Sequence, residues 1–290
     1  MTRLAVVGAG RIGGEVAYLA TILSGIDELV LHDASRPLLR AQILDLLHTG
    51  TDIRILPDTE SIRDADVCVF AAGFPRTPLV KTRADLLSQN VPVLKEWGAL
   101  LEGFSGVLIT VTNPMDANTF LMAKMAGLPR ERCIGFGGQL DSVRFGLELA
   151  ARGIREIPWV LGEHGEYQVP VFSALRTGVA VPDREEILKN LRGASMPVIM
   201  GKGGTVFGPA VHIVRLIDQV LSDRREVLPC SCILDGEYGV SGCALGVPAR
   251  IGRDGLAGIE EWKLDAWESE KFREAANFEQ ELIRSVTQGI

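Results

Sequence analysis

The feature that most constrains this chain is the run Gly8-Ala9-Gly10-Arg11-Ile12-Gly13, a G-x-G-x-x-G that directly follows the apolar stretch 4–7. Set between a strand and a helix, its first glycine permits a tight turn and its second lets the backbone approach a pyrophosphate. The third lets helix and sheet pack closely. The free N–H groups of the helix start, around Arg11 and Ile12, then face the anion. Glycines are common in turns, so the context matters. The apolar run 29–31 reads as a second strand, and Asp33, twenty residues after Gly13, ends it. A carboxylate there accepts hydrogen bonds from both ribose hydroxyls and repels a 2′-phosphate. The pair points to NAD, with NADP less favoured. Arg36 is the one neighbour that partly compensates a phosphate, and a solvated Asp in a β–α turn is the plain alternative.

Residues 4–7, 29–31, 67–71 and 107–111 are continuous apolar runs, and 12–23, 38–47 and 84–101 carry helical spacing. Strands of this kind alternating with helices predict an α/β fold, a Rossmann doubly wound parallel sheet covered on both faces. Residues 133–136 read as its last strand. Beyond Gly137-Gly138 the pattern changes: 142–151 and 204–221 look helical, 159–161, 169–172 and 230–234 look like strands, and a final helix, charged on one side, runs over 265–286. The expectation is a dinucleotide-binding domain, 1–138, and a mixed α+β substrate domain, 139–290.

Thirty basic against 37 acidic residues give a net charge of −7. That argues against nucleic-acid or anionic-membrane partners, which reward a positive field. An anionic substrate stays open, because a few arginines invert the potential inside one pocket. The N-terminus reaches glycines too soon for a signal peptide, and no apolar stretch approaches the ~20 residues that span a bilayer. The five cysteines lack CxxC or zinc-like spacing, and Cys68 and Cys133 sit in apolar runs. A cytoplasmic protein without a metal centre is expected.

Of four histidines, His164 stands in a polar turn, Gly162-Glu163-His164-Gly165, that closes an apolar run. Imidazole titrates near neutrality and can exchange the proton that accompanies hydride transfer. His32 and His212 lie within apolar patterns and read as structural. His48 ends a helix, where the dipole explains it. Asp141 and Arg144 are i, i+3 neighbours and share a helix face; a surface ion pair is the plain alternative. The loop Phe74-Pro75-Arg76-Thr77-Pro78-Leu79-Val80-Lys81-Thr82-Arg83 follows a strand's carboxyl end and reads as a basic lid or, more plainly, a basic solvated loop.

Taken in order, the 8–13 run, Asp33, Val111-Thr112-Asn113-Pro114, Leu140-Asp141-Ser142-Val143-Arg144 and Gly162-Glu163-His164-Gly165 resemble the lactate/malate dehydrogenase family. So do 202–210 (KGGTVFGPA) and 236–249 (GEYGVSGCALGVPA), so the likeness covers nearly the whole chain. It is strongest toward the lactate-dehydrogenase-like malate dehydrogenases. The resemblance implies an NAD-dependent enzyme that interconverts (S)-malate and oxaloacetate. His164 would be the general acid/base, stabilised as imidazolium by Asp141. Arg144 would grip the C1 carboxylate, Arg83 would polarise the reacting carbonyl, and Asn113 and Thr205 would lie by the substrate. Gly8, Gly10, Arg11, Ile12, Gly13, Asp33, Asn90, Val111 and Asn113 would line the cofactor site. Family members assemble as homodimers or homotetramers, and the helices at 12–23 and 38–48 offer a contact for this.

Arg76 is the informative position. In the family, glutamine at this point of the loop suits the methyl of a lactate-type substrate and arginine suits a second carboxylate. Pyruvate would leave a desolvated cation unpaired, which is costly. The Arg76 to Arg83 interval is one residue longer than the family's usual spacing, which brings in Lys81 as a further cation. Lactate dehydrogenase is the nearest alternative. An NAD-dependent glycosidase would need a metal cluster near His164, and a nucleotide-sensing binding module would not need the set Arg83, Asp141, Arg144 and His164.

Overall fold

A computed structural model describes residues 1–23, 25–74 and 82–287; Arg76 and Lys81 lie outside the described residues. The first half runs β1 (Arg3–Val7), α1 (Arg11–Ala20), β2 (Glu28–His32), α2 (Arg36–Leu47) and β3 (Arg54–Leu56). It continues through β4 (Val67–Phe70), α3 (Arg83–Leu100), β5 (Val107–Thr110), α4 (Met115–Ala126) and β6 (Cys133–Gly135). These strands are parallel neighbours in the order β3-β2-β1-β4-β5-β6. All of β4 and β5 is buried, which is why their residues read as unbroken apolar runs. Strand order reverses between β1 and β4, so their carboxyl ends flank a crevice.

The second half runs α5 (Gly138–Ala151), β7 (Val160–Gly162), β8 (Gln168–Pro170), α6 (Val181–Gly193), α7 (Met196–Lys202) and α8 (Phe207–Leu221). Then follow β9 (Val227–Asp235), β10 (Ser241–Gly252), β11 (Gly255–Ile259) and α9 (Ala266–Thr287). The sheet does not stop at β6. It continues antiparallel through β9, β10, β7 and β8, with β11 on β10. One hydrophobic core runs through both halves, and a smaller one gathers Phe145, Phe172 and Ile187 under α6.

Local chemistry sets the helix ends. Ser35 caps α2, and Thr82 with Asp85 forms a capping box at α3. The helix expected over 204–221 starts only at Phe207, because Gly203 and Gly204 have φ of +79° and +153°. Helix α4 has no counterpart in the sequence reading. It buries Asp116, Asn118 and Thr119 along with its apolar residues, so no amphipathic period marks it. Strand β10 contains Gly242, Gly246 and Pro248, which break the usual strand pattern. All five cysteines are free and buried. Among the described residues no helix is long and apolar enough to cross a membrane.

Candidate active site

The glycine turn is closed by backbone contacts that leave no room for side chains. Gly8 has a φ of +94°, and a Cβ on it would stand 2.6 Å from the Ala72 nitrogen at the end of β4. A Cβ on Gly13 would stand 1.8 Å from the Gly8 carbonyl oxygen. Gly10 is the opposite case: it is exposed, and a Cβ would meet nothing within 4 Å among the described residues. Among the described residues no side chain caps α1 at its start. The open space at Gly10 and this uncapped first turn, with half-buried Ile12, form a cradle suited to a pyrophosphate. Asp33 lies beside it, its carboxylate accepting the Ala9 N–H at 2.9 Å and the Ser35 N–H at 2.8 Å. That contact ties the end of β2 to the glycine turn. Exposed Arg11 reaches across to the second half and donates to the Gly203 carbonyl at 2.6 Å. This brings the segment holding half-buried Thr205 to the glycine turn.

Asn90 is buried on α3, accepts the Phe74 N–H at 2.7 Å and donates to the Asn113 carbonyl at 2.9 Å. It thereby ties together the ends of β4 and β5. Half-buried Val111 continues from β5, and exposed Asn113 precedes Pro114 through a cis peptide bond at the mouth of the crevice.

Opposite stands the histidine. His164 follows β7, and its Nδ1 lies 2.6 Å from Asp141 on α5. The other oxygen of Asp141 accepts from Arg144 at 3.0 Å. The Asp141 side chain is 2% exposed, against 17% for both His164 and Arg144, so the acid is sealed while its partners reach solvent. Burial acts to lower the His164 pKa, but the charge and hydrogen bond of Asp141 outweigh it, and the pKa lies above the usual 6.5. Burial likewise acts to raise Asp141, yet His164 and Arg144 hold it below the usual carboxylate range. A Cβ on Gly137 would come within 2.6 Å of the imidazole Cγ, so only glycine admits the ring there. His32 and His212 are pushed down by burial and His48 caps the end of α2, as their sequence settings suggested.

Arg83 is the first residue of α3. Its Nη2 donates to the His164 carbonyl and pairs with Glu163, each at 3.2 Å. A cavity of about 560 Å³ opens beside Arg83, between the α3 start and α9. His164, Asp141 and Arg144 do not line it.

Three residues of this region were missed as site residues. Asp116, in the first turn of α4, accepts the backbone N–H of His164 at 2.7 Å and the Ser231 hydroxyl at 2.5 Å. Burial and Glu163 push its carboxyl up to about 7, against those hydrogen bonds. Glu163 closes the histidine turn by accepting the Tyr167 N–H at 2.8 Å. Their neighbour is Glu279 of α9, fully buried. Adjacency to His164 was a signal for Glu163, and position in the turn after Pro114 one for Asp116. Glu279 had none, since α9 was read by its charged face.

Two family models cover the chain. The lactate/malate dehydrogenase NAD binding domain matches residues 2–135, and the lactate/malate dehydrogenase alpha/beta C-terminal domain matches 139–289. The chain belongs to the lactate/malate dehydrogenase family. This family member is 37% identical to a malate dehydrogenase of Natronomonas pharaonis, over 95% of the chain and 96% of the relative. It is 33% identical to an L-lactate dehydrogenase of Geobacillus, over 98% and 96% respectively. Its fold superposes with a TM-score of 0.90 on a malate dehydrogenase from Archaeoglobus fulgidus in complex with NADH, 34% identical and covering 98% and 99% of the two chains.

Proposed function

We propose that this family member is an NAD-dependent malate dehydrogenase that interconverts (S)-malate and oxaloacetate. The observation that carries it is the sealed Asp141 carboxylate joined on one side to His164 and on the other to Arg144. The bound nicotinamide supplies or takes the hydride. His164 gives its proton to the carbonyl oxygen in reduction and recovers it in oxidation, with Asp141 stabilising the imidazolium. Arg144 presents a planar fork to the substrate's C1 carboxylate. Arg83 polarises the reacting carbonyl, and Asn113 and Thr205 bound the substrate. Gly8, Gly10, Arg11, Ile12, Gly13, Asp33, Asn90 and Val111 hold the cofactor.

Arg76 discriminates between substrates in this scheme. Oxaloacetate should turn over far better than pyruvate with NADH, and equal or reversed rates would sink the malate assignment. Arg76→Gln should lower the oxaloacetate-to-pyruvate ratio of kcat/KM by about 10²-fold or more; an unchanged ratio removes Arg76 from that role.

Asp33 sets the cofactor choice. Asp33→Asn keeps an acceptor oxygen for one of the two backbone N–H groups and loses the charge. The preference for NADH over NADPH, measured as a ratio of kcat/KM, should fall by about tenfold or more. A ratio that stays put assigns Asp33 to the turn alone.

The division into 1–138 and 139–290 is supported by the change of strand pairing from parallel to antiparallel after β6. A homodimer or homotetramer is supported by Tyr18, Ile22, Leu44 and Leu47, which α1 and α2 and their ends leave 44–69% exposed. Five free, buried thiols suit a reducing cytoplasm.

A further inference from the structure

Beneath the His164 turn lies a cluster of acids that the scheme above does not use. Carboxylate oxygens of Asp116, Glu163 and Glu279 lie within 4.8 Å of one another, and all three residues are buried. They arrive from α4, from the turn after β7 and from α9. The ionisable groups that act on or feel Glu279 are Asp116, Glu163, Arg83 of α3 and Cys243 of β10.

Asp116 is occupied as a hydrogen-bond acceptor on both oxygens and Glu163 on one. Asp116 takes the His164 N–H and the Ser231 hydroxyl, while Glu163 takes the Tyr167 N–H on one oxygen and pairs with Arg83 through the other. Neither oxygen of Glu279 has a hydrogen-bond partner among the described residues. A buried carboxylate with no donor is very costly. A carboxylic acid brings its own donor, and its neighbours here are acceptors. Burial, then Asp116 and Glu163, push the Glu279 carboxyl well above its usual range, with Arg83 opposing.

We propose that Glu279 stands as a neutral carboxylic acid that donates into the Asp116–Glu163 pair, and that it is a positioning residue for Arg83 and the His164 turn. Its neutrality removes a negative charge that would crowd Glu163 and compete for Arg83. Glu163 then stays closed on the Tyr167 N–H and on Arg83. The rings of Phe278 and Tyr167, stacked at 4.5 Å, clamp α9 to the same turn. The effect on catalysis rests on the malate dehydrogenase reading; the protonation does not.

The test compares the full-length protein with Glu279→Gln and Glu279→Ala. At about pH 8.5, above the Asp116 carboxyl's value of about 7, the infrared carbonyl band of a buried protonated carboxyl should be present in the parent and absent from Glu279→Gln. A carboxyl raised in the folded state contributes stability that is full below the unfolded value and lost as pH rises through the folded one. The Tm of Glu279→Gln relative to the parent should therefore rise with pH, by about 3 °C per unit between those limits. Glu279→Ala should lower kcat about tenfold with the KM for NADH unchanged, and Glu279→Gln should recover most of that loss. No carboxyl band with parallel Tm curves overturns the protonation, as does a divalent cation that copurifies one to one and is lost in Glu279→Gln. Turnover of oxaloacetate with kcat untouched in Glu279→Ala overturns the positioning role. If oxaloacetate is not a substrate at all, the infrared and thermal measurements still decide the protonation.

Discussion

Replacement of His164 by asparagine is expected to lower kcat for oxaloacetate reduction by about 10²–10⁴-fold, the usual worth of a positioned acid/base. Asparagine keeps a donor for Asp141 but cannot exchange a proton. NADH affinity, read by fluorescence titration, should hold, because the cofactor turn lies across the crevice. A loss under tenfold would remove His164 from the acid/base role. The pH dependence has a definite sign. Reduction needs the imidazolium, whose pKa lies above 6.5, so its rate falls as pH rises through that folded value; malate oxidation runs the other way. Asp141→Asn leaves burial as the leading influence on the ring, and the falling limb should move to lower pH by about a unit or more. Stability follows the same linkage. The His164–Asp141 interaction contributes fully below the unfolded histidine value and is lost as pH rises through the folded one. The lowered Asp141 carboxyl contributes above the unfolded carboxylate range and is lost as pH falls through its folded value.

Gly13→Ala should abolish cofactor binding by breaking the turn itself. The added Cβ would stand 1.8 Å from the Gly8 oxygen and 2.9 Å from the Gly8 carbonyl carbon. Both are backbone atoms, held by the Gly8 N–H bond to His32 at 2.8 Å. The turn has to open, with a loss of several kcal/mol in stability, at the severe end for one substitution. NADH affinity should fall more than about 100-fold. Gly10→Ala separates the two effects. Its Cβ enters open space, so the Tm should stay within about 1 °C of the parent while NADH affinity still falls, because in the proposed reading that space holds the pyrophosphate. Equal Tm losses in both variants would mean that Gly10 serves the fold and not the cofactor.

The parallel half was legible because its strands are buried on both faces. Continuous apolar runs and intervening amphipathic helices leave one arrangement that buries them all. Helix α4 escaped because its buried face carries Asp116, Asn118 and Thr119, and the partners that allow Asp116 to be buried, Ser231 and the His164 backbone, lie far along the chain. Strand β10 escaped because glycine and proline break its pattern although it is a central strand: Gly246 lies between β9 and β7, and Pro248 pairs with β9. On α9, the sequence shows acids spaced along a helix. It does not show that Glu268 and Glu279 lie on the inner face.

The residues of the proposed reacting set stand out in the sequence because a glycine turn, an i, i+3 acid and arginine, and a lone histidine in a polar turn are local patterns, while their roles came from the family resemblance. Their chemistry was decided by distance. Asp141 and His164 are 23 residues apart in the chain and 2.6 Å apart in space, and the contact sets the pKa of both. The amino-acid order alone determined the cofactor turn, the parallel sheet and the candidate proton carrier, since each follows from neighbours within a few residues. Only the tertiary structure decided which charges meet in the dark of the core, because burial and pairing belong to residues that the chain keeps far apart.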